Sequence, residues 1–147
     1  MKKSPPPTSS SRKMSKREFE KLADFRYQVR RYLRFSEEVS RRNGITSLQY
    51  LLLLQIVGFP GRDWASIVEL AERLQAKHHG VVSLVSRCEA LGLVSRSSST
   101  SDKRQVEVRL TRMGNDRVAR LAALHRRELA SLKGKFKMPD MSAPRDE

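Results

Sequence analysis

The sequence predicts a mainly α-helical fold with one small β-hairpin, and three observations lead there. A capping hydroxyl followed three residues later by Glu or Gln recurs at Ser15/Glu18, Thr46/Gln49 and Ser66/Glu69, each time before apolar residues at helical spacing. After Gly92 the apolar period changes from helical to strictly alternating, which is strand spacing with one face buried. Between these segments stand glycine and proline breakers, at Asn43-Gly44, at Gly58, Pro60 and Gly61, and at Gly92.

Residues 1–14, MKKSPPPTSSSRKM, combine Pro, Ser and basic side chains with almost no apolar surface to bury, and read as a flexible basic arm. Ser15 opens a long helix whose apolar positions are Phe19, Leu22, Val29, Leu33 and Val39, stopped by Asn43-Gly44. Thr46 opens a short, strongly apolar helix through Leu51–Val57. Ser66 opens a third, with Ile67, Leu70, Ala71 and Leu74 inward. A fourth runs from about His78 to Leu91. Its core stripe is Val81, Leu84, Val85 and Cys88, and Gly92 sits where a C-terminal glycine belongs.

The hairpin follows. Leu93-Val94-Ser95-Arg96 is its first strand, 97–104 a polar loop with a charged tip, and Val106, Val108 and Leu110 alternate along its second strand. Thr111 caps a last long helix with Val118, Leu121, Ala122, His125, Leu129 and Leu132 on one face. Gly134 ends it, and residues 136–147 form a tail containing Pro139 and Pro144.

The third and fourth helices with the hairpin make a winged helix-turn-helix. The outer helices are too apolar on one face for a lone domain this small, and a twin copy is the economical cover. They therefore read as flanking dimerisation helices, with Phe19, Leu22, Val118, Leu121 and Leu129 at the expected interface. The expected organisation is one domain over 15–135, with a DNA-binding lobe of about 46–111, an arm before it and the 136–147 tail after it.

Composition narrows the partners. Thirty Lys and Arg face 16 Asp and Glu, a formal charge of +14 and a pI near 10.7, which favours nucleic acid or an anionic surface. The longest apolar run, Leu51–Val57, is interrupted by Gln55 and is far too short to span a bilayer, so no membrane partner is expected. The basic start leads into Pro and Ser without an apolar core, unlike a secretory signal, and a cytoplasmic location is the simplest reading. Cys88 stands alone, which excludes an internal disulfide and a multi-cysteine metal site. His78 and His79 are adjacent and point apart on a helix, so no metal is expected, and no cofactor. No nucleophile–base pair, phosphate loop or paired carboxylates support an enzyme.

The residues that carry chemistry lie on the fourth helix and the hairpin. His78, His79, Val82, Ser83, Ser86 and Arg87 share its solvent side, with no acidic residue among them. His78, His79, Ser83 and Ser86 supply donors and acceptors for base edges, and Val82 suits a thymine methyl. Lys77, Arg87, Lys103 and Arg112 are placed on phosphates. In the wing, Arg104 is the expected minor-groove residue, and Asp102, two residues earlier on the same side, is expected to brace it as a bidentate partner. Cys88, on the core stripe, reads as structural rather than as a redox sensor. His125 reads as an interface or core-edge residue. Phe25, Tyr32, Phe35, Tyr50 and Trp64 either line an effector pocket or fill the core.

Taken in order, Ile45-Thr46-Ser47-Leu48-Gln49, Glu69-Leu70-Ala71-Glu72-Arg73-Leu74, Leu91-Gly92-Leu93-Val94-Ser95-Arg96, Asp102-Lys103-Arg104 and Leu110-Thr111-Arg112-Met113-Gly114 resemble the MarR (multiple antibiotic resistance regulator) family over roughly residues 15–135. The resemblance implies a homodimer with two winged helix-turn-helix lobes on a pseudo-palindromic operator. It also implies, as in many members, release from DNA by a small aromatic ligand bound between the dimer region and the lobe. Two departures stand out. Family members often begin the recognition helix with Ser or Thr, where this chain has Lys77-His78-His79-Gly80, and the stretch after Thr111 is shorter than usual. The expected function is a sequence-specific double-stranded DNA-binding regulator, a homodimeric repressor released by a ligand. The alternatives are a regulator of this fold without an effector, or an interaction module for protein or RNA with only nonspecific DNA affinity.

Overall fold

The computed structural model describes residues 12–102 and 104–142. Its elements run α1 (Lys16–Arg42), α2 (Ser47–Val57), β1 (Trp64–Ser66), α3 (Ile67–Leu74), α4 (His78–Ala90), β2 (Val94–Ser98), β3 (Val106–Leu110) and α5 (Arg112–Ser131). This is the mainly α architecture with a hairpin wing that the sequence predicts. The 1–11 part of the arm, Lys103 and the last residues of the tail, 143–147, lie outside the described residues.

The helix starts sit where the hydroxyls are. Ser15 and Thr46 each accept from the N–H three residues on, and Glu18 and Gln49 each accept in return from the cap's own N–H. The third box closes differently. Ser66 Oγ accepts from Glu69 N–H (3.2 Å), but its hydroxyl donates to Glu69 Oε1 (2.9 Å), and the residue belongs at the same time to a strand. That strand, β1, is absent from the elements the sequence predicts. Three residues are too few to show alternation, and pairing with β3 alone defines it: Ala65 opposite Val108, both buried, in a sheet of order β1-β3-β2.

α2 is the hub because it is apolar on nearly every side. Leu52, Leu53 and Ile56 are fully buried, and the helix packs on the other four helices and on β1 and β3. Leu70 of α3, Val81, Val85 and Cys88 of α4, and Val108 of β3 complete the lobe core.

The last helix corrects the expected interface. Val118 and Leu121 are 3% and 0% exposed because α5 lays that face on α2, so neither residue is available to a second copy. Phe19, Leu22 and Leu129 remain exposed, at 55%, 39% and 51%. The tail returns along α1, with Phe136 against Phe25 (5.9 Å between ring centroids) and Lys21 donating to the Asp140 carbonyl.

Candidate nucleic-acid interface

α4 begins at Lys77, whose side chain makes no capping bond, and the first-turn N–H groups gain no side-chain acceptor from it. A helix start of that kind presents partial positive charge, reinforced by Lys77, His78 and His79, all exposed. Gly80 lies within this turn, and a Cβ there would meet nothing within 4 Å, so the glycine serves no packing need.

Beyond the first turn the helix shows two flanks. His79, Ser83 and Arg87 are exposed and Ser86 half-exposed on the outer flank. His78 and Val82 turn toward the wing instead. With Val68 of α3, Arg96 and Arg104, they line a groove of about 720 Å³ between the helix-turn-helix and the hairpin. Lys77, Arg87, Arg104 and Arg112 take part in no ion pair among the described residues, whereas Arg62, Arg96 and Arg109 are each matched by carboxylates.

The wing tip is held from inside. Ser99, buried, donates its N–H to the Gln105 carbonyl (2.9 Å), while its hydroxyl oxygen accepts from Ser101 N–H (3.2 Å) and Asp102 N–H (3.3 Å). Asp102 does not pair with the Arg104 guanidinium as expected. Its Oδ1 accepts the Arg104 backbone N–H at 3.0 Å, the ordinary role of a turn aspartate. The carboxylate thus shapes the loop and leaves the guanidinium exposed.

A second acidic residue, Glu89, carries no local signal in the sequence. Glu89 Oε2 accepts the Arg96 backbone N–H (3.0 Å) and Oε1 accepts from its guanidinium (3.0 Å). These Arg96 bonds hold the Glu89 carboxyl below the usual carboxylate range.

Most of the aromatic residues close on themselves. The His125 ring stacks on Tyr50 (4.5 Å, 14°) and meets Phe35 and Tyr32 edge-on (5.5 and 6.1 Å). The Leu121 carbonyl can only accept, so His125 donates from Nδ1 (2.7 Å), and in the neutral ring the Ser36 hydroxyl donates to Nε2 (2.9 Å). Burial pushes the Tyr50 phenol up to about 12. Tyr50 therefore fills core, as does Phe35 in large part, while a cleft of about 250 Å³ between α1 and α5 touches Tyr32, Phe35 and Leu132. Trp64 lies elsewhere. Its ring carries the Arg62 guanidinium (3.8 Å), which also covers Phe59 (4.1 Å) and pairs with Glu69. Cys88 is fully buried and its thiol is pushed up to about 11, which suits a packing residue.

A sequence model of the MarR family matches residues 43–105, from the end of α1 to the wing. No curated protein matches the chain significantly. Among solved structures it is similar to AbsC, a MarR family transcriptional regulator from Streptomyces coelicolor, at 22% identity and a TM-score of 0.71, over 91% of this chain and 86% of that one. A MarR family protein from Bacillus stearothermophilus gives 22% and 0.70, over 85% and 86%. A mutant of MepR from Staphylococcus aureus, solved bound to an oligodeoxyribonucleotide, gives 18% and 0.63, over 85% and 86%.

Proposed function

We infer that this chain, a MarR family protein by the winged helix-turn-helix lobe it carries across residues 43–105, is a sequence-specific double-stranded DNA-binding regulator acting as a homodimeric repressor. One observation carries the reading. The exposed face of α4, with His79, Ser83, Ser86 and Arg87, has no acidic residue on its outer flank and stands beside a wing whose exposed Arg104 takes part in no ion pair among the described residues. A helix face of this kind fits the major groove while the wing reaches the adjacent minor groove. Lys77, Lys103, Arg87 and Arg112 neutralise phosphates, which supplies most of the affinity and makes it salt-dependent.

The second copy joins through α1 and α5. Phe19, Leu22 and Leu129 leave apolar surface uncovered there, and pairing two lobes matches a pseudo-palindromic operator. A small aromatic molecule entering the cleft beside Tyr32 and Phe35 is the releasing signal. This cleft adjoins the dimer helices, where a bound ring shifts the spacing of the two lobes.

Selection of bound duplexes from a random pool, with titrations at several salt concentrations, tests the reading. An enriched inverted repeat with half-sites about 34–36 Å apart is expected. Binding that only fades with salt, with nothing enriched, overturns it.

A further inference from the structure

We infer that Glu89 and Arg96 form a clamp that fixes the angle between recognition helix and wing, and that this clamp is a determinant of operator specificity. The inference rests on the DNA-binding reading above. Glu89 is the penultimate residue of α4 and Arg96 the third of β2, so one carboxylate joins the two elements that enter adjacent grooves. Both oxygens are used, one on the Arg96 backbone N–H and one on its guanidinium, each at 3.0 Å. A single bond is a pivot. Two bonds from one rigid carboxylate to main chain and side chain set an orientation.

The sheet explains why that N–H is available. β2 is an edge strand, and the flanking bonds, Ser99 N–H to the Gln105 carbonyl and Leu93 carbonyl to Thr111 N–H, turn the odd-numbered residues of β2 toward β3. Arg96, an even-numbered residue, directs its N–H outward, where Glu89 takes it. Beyond Arg96 the side-chain bonds of the loop are internal, among Ser99, Ser101, Asp102 and Arg104. The clamp is therefore the outermost side-chain tie between helix and wing among the described residues.

Glu89 also changes what Arg96 does. The guanidinium lines the groove beside Arg104 and His78. Left unpaired, it would be one more sequence-blind phosphate contact. Paired, its charge is matched and its contribution is geometric. Holding two reading elements at a fixed separation raises the effective concentration of the second once the first is docked. Removing the clamp thus has opposite effects on the two kinds of binding, which loss of a merely structural contact would not produce.

The test compares the operator obtained by selection with random duplex. Glu89→Gln keeps an acceptor for the backbone N–H and loses the ion pair. It is expected to lower the operator-to-random affinity ratio about tenfold and to steepen the salt slope on random DNA by about 0.9, one added phosphate. Arg96→Gln should lower the ratio without steepening the slope. A ratio unchanged in both variants, or equal losses on operator and random DNA, overturns the inference. A readout free of DNA separates it from the parent reading: the spread of distances between spin labels at Ser83→Cys and Thr100→Cys, with Cys88 buried and unlabelled. The spread should widen in Glu89→Gln, and an unchanged spread overturns the clamp. A widened spread in a protein that selects no sequence sinks its role in specificity together with the operator reading, and leaves only the mechanical tie.

Discussion

Replacing Gly114 by alanine sets two physical effects against each other. Gly114 lies in the first turn of α5, and helix propensity alone makes Gly→Ala stabilising by about 1 kcal/mol. The structure predicts the opposite. A Cβ at this position would stand 2.0 Å from the Leu93 carbonyl oxygen and 3.0 Å from its carbon. Carbon–oxygen contacts normally begin at about 3.3 Å, so backbone has to move by more than an ångström. The obstacle cannot swing aside, because the same carbonyl accepts Thr111 N–H at 3.0 Å and Leu93 is buried. Relief means lifting the first turn of α5 off the strand. That breaks this bond, the Thr111 hydroxyl bond to the Gly92 carbonyl (2.6 Å) and the Thr111 cap on Gly114 N–H (3.1 Å). Three bonds at about 1 kcal/mol each, with an overpacking strain of about 1–3 kcal/mol and the propensity gain subtracted, leave a loss of roughly 3–5 kcal/mol. For a chain of this length that lowers Tm by about 10–15 °C. Thermal unfolding by circular dichroism at one fixed protein concentration measures it. A Tm equal to or above that of the unsubstituted protein would refute the reasoning, since propensity would then have won.

Two further substitutions address the proposed interfaces with DNA and with a second copy. Arg104→Ala removes an exposed guanidinium whose backbone N–H, not its side chain, holds the turn. Operator affinity should fall by about 1–3 kcal/mol with Tm within about 1 °C, and a large drop in Tm would show that the side chain belongs to the fold. Leu129→Glu places a charge on a half-exposed site of α5. Sedimentation should show monomers with helical content intact, and a dimer that persists would move the interface away from α5.

Four of the five helices were legible because each begins with a hydroxyl that satisfies an N–H of its own first turn, a local rule needing no tertiary information, while α4, uncapped at Lys77, was legible from its apolar stripe and Gly92. Ser15, Thr46, Ser66 and Thr111 all occupy cap positions. The hairpin was legible from the alternation of Val106, Val108 and Leu110. What escaped depends on pairs far apart in sequence. β1 exists through its partner β3, and Trp64 through Arg62 and Arg109. Periodicity placed Val118 and Leu121 on an apolar face without saying which neighbour covers it, and α2, not a second copy, does so. Leu129, further along the same helix, stays exposed. For the candidate site, composition identified the basic recognition face, but the expected Asp102–Arg104 side-chain pair does not form. Asp102 serves the main chain of its own turn, and Glu89, which no local pattern singles out, serves the wing.

α5 emerges as the element that joins the two halves of the molecule. At its start, Thr111 bonds to Gly92 and Leu93 at the base of the wing, and Gly114 permits that approach. One turn on, the Arg117 guanidinium donates to the Asn43 carbonyl at the end of α1 (2.7 Å). Two turns further, His125 is held between Ser36 of α1 and the ring of Tyr50 in α2. Three ties along one face give a helix little freedom to rotate independently of the lobe. In a dimer joined through α1 and α5, the separation of the two recognition helices is then set by where α5 meets its partner. In that proposed dimer, a ligand between α1 and α5 would act on operator spacing without touching any of the residues proposed to read bases.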